Sequence, residues 1–491
     1  MRPKIQFTEE NIRRLFGFED AEGEEVERLK QYYFKNDTFE HVLADLPIRV
    51  LVGHKGVGKS ALFRVAMSEQ QERGDLTILI KPDDVAEIGE KHESLVLSIP
   101  KWKFGLTAII AEKVLAQFGI NDDSIKGKII QSGMKVVSLV TDTVTPLLKG
   151  KVKFSSSQLK LIEHFLKTQK IIVYIDDLDR GWQNRKEGVI MISSLLNAAR
   201  DLAYQNKGLA FKISLRSDVY AAIRFEDESS DKISGSVIWH SYELHEIFVM
   251  LVIRVLTFFN ESINEENLRK SGQRHLSYFL ESIIAINFEG RGNWEKAPIH
   301  QVILSLIRKR PRDIVKLCSL AARKAYSDRS AIITTKHWEL IFEQYSQGVI
   351  HDTIVEFKSE LLEIERLLFG MKPEKKNTKA ADAFVFTSAE LRLKLNKIIE
   401  RGTFKFANGR IATASDLAQF LYKINFLTAR KTLENGTIQR KYFEENNYLS
   451  STFVDFGYDW EVHLAYRWAL QPDTLENILA KLVRSKDELQ I

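Results

Sequence analysis

The stretch that most constrains this 491-residue chain runs from Ile48 to Leu62. An apolar run, Ile48-Arg49-Val50-Leu51-Val52, meets Gly53-His54-Lys55-Gly56-Val57-Gly58-Lys59-Ser60-Ala61, and a helical pattern follows. The spacing G-x-x-x-x-G-K-S, set between a strand and a helix, is that of a phosphate-binding loop. Glycines let the backbone curl so that successive N–H groups point at phosphate oxygens. Lys59 would reach the β- and γ-phosphates, and the Ser60 hydroxyl would bind Mg²⁺. The helix that starts near Lys59 adds the positive end of its dipole. Residues Gly53 to Ala61, with His54, Lys55 and Val57 among them, are therefore the expected nucleotide-binding set. The alternative is a glycine turn that binds nothing, and the flanking strand and helix count against it.

A second signal lies at Lys170-Ile171-Ile172-Val173-Tyr174-Ile175-Asp176-Asp177-Leu178-Asp179-Arg180. An apolar run that ends in acids reads as a buried parallel strand with carboxylates at its C-terminal edge. That is the Walker B arrangement. One carboxylate must hold Mg²⁺ through its waters and a neighbour must orient the attacking water. Asp176 is expected in the first role and Asp177 in the second. A strand that merely ends in a solvated acidic turn is the alternative.

Two more strands are expected, Leu76 to Ile80 between the two motifs and Ala210 to Leu215 after them, with a further one at Val237 to His240. Arg216, at the tip of the second, would face the γ-phosphate, because ligands bind beyond the carboxyl ends of parallel strands. It is a candidate sensor or an ordinary strand-end arginine. The run Arg308-Lys309-Arg310-Pro311-Arg312-Asp313 marks a helix start, with Pro311 in the first turn. It could deliver Arg312 or Arg310 to an anion such as the γ-phosphate, or be a plain basic helix start.

The chain divides into an N-terminal helical arm (1–46), an α/β core (47–240), a helical lid (241–350) and a helical linker with a winged-helix-like domain (351–491). Residues 241 to 350 look wholly helical, and Ile247 to Phe259, interrupted by Arg254, reads as a buried helix. In the last part, helices at Ser388 to Ile399 and Ala414 to Ile424 precede two strand-like runs that flank Glu434-Asn435-Gly436. Asn-Gly is a hairpin turn signal. A two-residue turn at 435–436 sets Lys431 opposite Arg440 and Arg430 opposite Lys441. Like charges across a ladder destabilise it, so this wing either meets an anionic partner such as DNA or RNA, or rests on an acidic patch of the ATPase core, or is solvated.

Charge supports an anionic partner: residues 372–441 carry 15 Lys and Arg against 6 Asp and Glu, while the whole chain is only +5. A lone cysteine, Cys318, excludes an internal disulfide and suits a reducing cytosol. No run of about 18 apolar residues exists and the N-terminus lacks a signal-peptide core, so no membrane contact and a cytoplasmic location are expected. The Asn-Lys-x-Asp guanine-reading motif and the serine-glycine signature of ABC ATPases are absent, which favours ATP by exclusion.

The loop Gly53 to Ala61, the run Asp176-Asp177-Leu178-Asp179-Arg180, the segment Leu15-Phe16-Gly17-Phe18-Glu19-Asp20-Ala21-Glu22 and Arg310-Pro311-Arg312-Asp313 together resemble a group of bacterial P-loop ATPases. These lie near the KAP and STAND branches of the AAA-like NTPases. The resemblance implies an AAA-like α/β core with a parallel sheet, a helical lid, Mg-ATP, and a switch role often tied to nucleases or anti-phage defence. It also implies that Arg216 is a sensor and Arg312 a second one. Homo-oligomerisation and an effector protein as partner are expected of such a switch. Two departures stand out. Many KAP proteins carry membrane-spanning insertions and this chain has none, and Asp177 stands where many AAA ATPases have Glu. The shorter carboxylate suits slow turnover or a hold-and-release switch. A scaffold that binds ATP without turnover beside an effector enzyme, and an ATP-modulated DNA binder, are the competing readings.

Overall fold

Five short apolar runs, each ending in polar residues or glycine, pair into one parallel sheet: β1 (Ile48–Gly53), β2 (Leu76–Ile80), β3 (Ile171–Ile175), β4 (Leu209–Arg216) and β5 (Val237–Trp239). Their order is β2-β3-β4-β1-β5, all parallel. The computed structural model describes residues 2–86, 88, 94–120, 125–149, 154–180, 182, 185–226, 231–290, 294–373, 383–434, 438–445 and 457–471. The chain forms two compact units, Lys35–His240 and a discontinuous one made of Met1–Phe34 with Ser241–Ile491. Helices α1 (Glu9–Phe16) and α2 (Val26–Tyr32) belong to the discontinuous unit.

The Lys35–His240 unit holds the sheet. Helix α3 (Asp37–Leu43) precedes β1, and α4 (Lys59–Glu72) follows it directly. Helices α5 (Leu95–Gln117), α6 (Ile125–Gln131), α7 (Val136–Lys149) and α8 (Ser156–Thr168) lie between β2 and β3. Helix α9 (Lys186–Gln205) joins β3 to β4, and α10 (Ser217–Glu226) and α11 (Asp231–Ser234) join β4 to β5. All five residues of β3 are buried, as are all but Arg216 of β4, because helices cover the sheet and strands wrapped this way read as continuous apolar runs. The Val- and Thr-rich stretch from Val136, ambiguous by pattern, is helical. Thr141, Thr143 and Thr145 each donate a hydroxyl hydrogen bond to the carbonyl four residues back, which satisfies these side chains inside a helix.

In the discontinuous unit, α12 (Leu244–Phe258) is apolar on every side and buried. Its one basic charge beyond the first turn, Arg254, lies 4.5 Å over the Tyr32 ring and donates to the Phe16 carbonyl, so α1 and α2 satisfy it. Helices α13 (Glu265–Lys270), α14 (Gln273–Ser277), α15 (Ile299–Ser305), α16 (Pro311–Ser327), α17 (Thr335–Phe357) and α18 (Ile364–Gly370) follow. The segment is not wholly helical, since β6 (Asn287–Phe288) and β7 (Ala297–Pro298) pair antiparallel. No helix among the described residues is long and apolar enough to cross a membrane.

The same unit ends in β8 (Val385–Phe386), α19 (Ser388–Ile399), α20 (Ala414–Lys423), β9 (Leu427–Thr432), β10 (Ile438–Lys441) and β11 (Asp459–Val462). Thr387 caps α19, accepting from the Glu390 N–H at 3.3 Å. The sheet order is β10-β9-β11-β8, antiparallel throughout. The hairpin register differs by one residue from the expected one: Arg440 opposes Arg430, Lys431 opposes Gln439, and Lys441 opposes Ala429. The strands are joined by 433–437, not by a two-residue turn, and Asn435 and Gly436 lie outside the described residues. This register lets Arg430 and Arg440 share one acid. Glu461 on β11 is buried, accepts from Arg440 Nε at 2.7 Å and Arg467 Nη2 at 2.5 Å, and lies 3.9 Å from Arg430 Nε. Burial opposes its charge, but the guanidinium groups of Arg440 and Arg467 hold the carboxyl well below its usual range. The wing's two arginines thus face one acid of their own sheet, not an acidic patch of the nucleotide-binding core.

Candidate nucleotide-binding site

The register brings the two motifs to one edge of the sheet. Gly53, the last residue of β1, pairs with Arg216, the last of β4, while Ile175 of β3 pairs with Ile213. Strand β4 thus lies between the P-loop strand and the Walker B strand, and its tip reaches past both.

After β1 the chain turns through Gly56 at φ +84° and Gly58 at φ +96°, both left-handed, where a side chain would be strained. Gly53 has a second reason to lack a side chain: a Cβ there would stand 2.7 Å from the His240 carbonyl oxygen. Lys59 folds under the loop and donates to the Gly53 carbonyl at 2.8 Å and the His54 carbonyl at 3.1 Å. Gly58 caps α4 without a side-chain hydrogen bond, and no acid stands in the first turn. The first N–H groups of α4 therefore keep their positive potential for an anion.

At the end of β3, Asp176 is 8% exposed. Its Oδ1 accepts from the Ser214 hydroxyl of β4 and, at 3.0 Å, from the Asp177 N–H. Asp177 takes φ +61°, and its side chain is 46% exposed, 4.0 Å from the Arg180 guanidinium. Aspartate tolerates this left-handed geometry better than most residues, and such backbone outliers cluster at functional sites. Arg216 makes a bidentate pair with Asp218, Nε to Oδ1 at 3.0 Å and Nη2 to Oδ2 at 2.7 Å. Its backbone N–H donates to Asp179 Oδ2 at 2.5 Å. The hydroxyl of Ser217 and His54 Nδ1 lie 3.1 Å apart, which ties the P-loop to the same strand tip.

Sequence reasoning missed Ser214, Asp218 and Asp179. A serine inside a buried strand, two residues before Arg216, was the available signal for the first. The structure brings Lys59, Asp176, Asp177 and Arg216 into one unit. Arg312 belongs to the other, where it donates to the Glu19 carbonyl at 2.9 Å. Arg310 is 3% exposed and donates to Glu356 Oε2 at 3.2 Å, while its Nε and Nη2 have no hydrogen-bond partner among the described residues. Arg308 donates to Asp313 through Nε and Nη2, both at 2.8 Å. Lys309 lies between Glu243 and Glu445. The basic run therefore answers acids of its own unit.

The residues fit a magnesium–nucleotide pair. The uncapped start of α4 and the left-handed glycines suit phosphate oxygens, and a hydroxyl with a buried carboxylate offers the oxygen donors that Mg²⁺ prefers. Ser60 and Asp176 would hold the ion, which supplies charge neutralisation at the transferred phosphate. Burial pushes His240 down to about 3, so this histidine beside the loop stays neutral near pH 7.

The parallel sheet, its strand order and the P-loop define an α/β P-loop nucleotide-binding fold of the AAA-like kind. No family model matches the chain. It is similar, at 20% identity over 476 residues, to a putative transposon gamma-delta 80.3 kDa protein of Escherichia coli (strain K12), covering 88% of this chain and 65% of that protein. The chain thus spans about two-thirds of the length of the curated relative it matches. Among solved structures, a Walker-type ATPase of Pyrococcus abyssi matches at 14% identity with a TM-score of 0.38, over 87% of this chain and 95% of its own. The ORC2 protein of Aeropyrum pernix, in ADPNP and ADP complexes, matches at 11% with a TM-score of 0.37, over 92% of each chain. The ORC1 protein of Aeropyrum pernix, in complex with DNA, matches at 13% with a TM-score of 0.31, over 96% and 94%.

Proposed function

We propose that the chain is a Mg-dependent ATPase that uses its nucleotide state as a switch. The observation that carries this is the meeting of the P-loop lysine with Asp176, Asp177 and Arg216 at one sheet edge. Lys59, the loop N–H groups and Mg²⁺ bind the β- and γ-phosphates, Asp177 orients water, and Arg216 stabilises charge on the γ-phosphate. Arg312, on the lid segment 241–350, is proposed as a second sensor. The output is a protein partner or a second copy of the chain, and the resemblance to KAP- and STAND-type ATPases extends the proposal to bacterial defence. The test is steady-state phosphate release with Mg²⁺ by the purified chain. Loss of release in both Lys59→Ala and Asp177→Asn is expected, and variants that match wild type sink the mechanism.

Two observations favour a hold-and-release switch over a fast motor. Arg216 is already engaged by Asp218, and Asp177 is short and half-exposed. ATP that binds tightly and is turned over slowly fits both. A winged-helix DNA binder is the weaker reading. The lysine of helix α20, Lys423, pairs with Glu360 at 2.7 Å, and on β10 Arg440 is held by Glu461. Lys431 and Lys441 remain as candidate nucleic-acid contacts.

A further inference from the structure

The run Asp176-Asp177-Leu178-Asp179 contains three acids, and the proposed chemistry uses two. The third has the least comfortable environment. Asp179 is 5% exposed, and among the described residues its carboxylate makes no ion pair. It accepts one hydrogen bond, 2.5 Å, from the backbone N–H of Arg216, which lies 37 residues further along the chain. Burial pushes its carboxyl up to about 6, against the pull of Lys59, of Arg216 and of that N–H. A buried acid in such surroundings costs stability relative to an apolar residue of its size. A carboxyl kept there at a cost is a functional-site candidate on physical grounds.

Its position says what it does. Strand β4 is central, with β3 on one side and β1 on the other. Its tip is tied three times: Ser214 to Asp176, the Arg216 N–H to Asp179, and Ser217 to His54. The first two ties reach the Walker B end and the third reaches the P-loop. The Asp179 tie is the only one of the three that fixes the backbone of the sensor residue itself. The loop that carries Asp177 and Asp179 is closed by its own backbone, with the Arg180 N–H donating to the Asp177 carbonyl at 2.9 Å and the Trp182 N–H to the Asp179 carbonyl at 3.1 Å.

We propose that Asp179 is a positioning residue of the nucleotide site, which locks the backbone of Arg216 to the Walker B loop so that sensor and water-orienting acid move as one body. This rests on the ATPase reading above. Asp179 touches neither nucleotide nor water. It acts through Arg216, by keeping the guanidinium root in place when the side chain exchanges Asp218 for a γ-phosphate.

The test uses the full chain with Asp179→Ala, which deletes the acceptor, and Asp179→Asn, whose amide oxygen can still accept the N–H. Three quantities are read: affinity for a fluorescent ATP analogue, kcat for phosphate release, and amide hydrogen exchange over residues 209–218 without nucleotide. For Asp179→Ala, kcat is expected to fall about 10- to 100-fold, the scale of a small misplacement of a catalytic group, with analogue affinity within about twofold. Exchange at the tip of β4 rises about tenfold or more in that variant while the rest of the sheet is unchanged. Asp179→Asn restores kcat to within about threefold and returns the exchange to the wild-type rate. An Asp179→Ala chain that turns over as wild type overturns the proposal. So does equal impairment of both variants with exchange raised across the whole sheet, which is the mark of a merely structural acid. Failure of the ATPase reading looks different: wild type and Lys59→Ala then bind and hydrolyse alike, and the exchange arm alone decides whether Asp179 holds Arg216.

Discussion

Two charged runs in this chain look alike on paper and behave oppositely in the fold. Arg308 to Asp313 and Asp176 to Arg180 each combine acids with arginine at the end of a regular element. In the first, the buried cations meet acids of their own unit, although Arg310 keeps Nε and Nη2 without a hydrogen-bond partner among the described residues. Arg308 gives Nε and Nη2 to Asp313 and Nη1 to Thr353 and Tyr466, at 3.0 and 3.1 Å. Burial works against both members of the pair, yet Asp313 holds Arg308 above its ordinary range and Arg308 holds Asp313 at about 2. In the second, the Asp179 carboxylate meets, among the described residues, the backbone N–H of Arg216 and sits at about 6, while Asp177 stands half-exposed in a left-handed turn. An acid paired with a guanidinium fixes a fold, whereas a buried acid met by a backbone N–H and a half-exposed acid in a left-handed turn mark a candidate site.

The contrast is broken most severely by removing an acid from each run. Asp313→Ala leaves Arg308 buried without its carboxylate and is expected to destabilise the discontinuous unit by about 3 to 5 kcal/mol, read as a lower midpoint in chemical denaturation. Asp177→Asn is expected to change stability by less than about 0.5 kcal/mol and to lower the rate of phosphate release about 100-fold. If the two variants lose stability equally, the distinction between a structural and a functional run fails. Lys59→Ala sharpens it further, with hydrolysis down about 100- to 1,000-fold and an unchanged midpoint.

Acid titration separates the same two carboxyls by sign. The folded-state value of Asp313 lies below its ordinary value, so its contribution is complete above about pH 4 and is lost as pH falls toward 2. The folded-state value of Asp179 lies above its ordinary value, so its contribution is complete below about pH 4 and is lost as pH rises through 6. Each effect is worth about 2 to 3 kcal/mol. Denaturation midpoints measured from pH 4 to pH 7 are expected to fall less steeply in Asp179→Asn than in wild type, and a parallel pair of curves contradicts this assignment.

Much of the sheet was legible because its signals are local. A buried parallel strand is a continuous apolar run, and each of the five ends at a residue that breaks the pattern: Gly53, Lys81, Asp176, Arg216 and His240. The P-loop and the Walker B strand were therefore readable from windows of about ten residues. What escaped depends on partners far along the chain. Nothing near Asp179 announces Arg216, and nothing near the hairpin announces Glu461, more than twenty residues downstream of Arg440. Asn-Gly suggested a two-residue turn, and the longer connection moved every cross-strand pair by one position, because register follows turn length. The basic run at Arg308 was visible as charge, but its acids, Glu243, Glu356 and Glu445, lie on other elements.

The wing belongs with the run whose cations face acids of their own unit, and this gives the smallest expected effect. Wild-type affinity for double-stranded DNA is expected to be weak, and Lys431→Gln with Lys441→Gln to change the slope of log affinity against log salt by less than about 2 units. The informative variant is Glu461→Gln. Removing the shared acid releases Arg430, Arg440 and Arg467 from their common partner, so the salt slope steepens by about 1 to 3 units if the freed groups reach phosphates. Circular dichroism on the same sample keeps this separate from unfolding. Tight, salt-steep DNA binding by wild type, lost in the double lysine variant, would place the hairpin with the functional run instead, and a net positive wing would then be a ligand surface in spite of its internal acid.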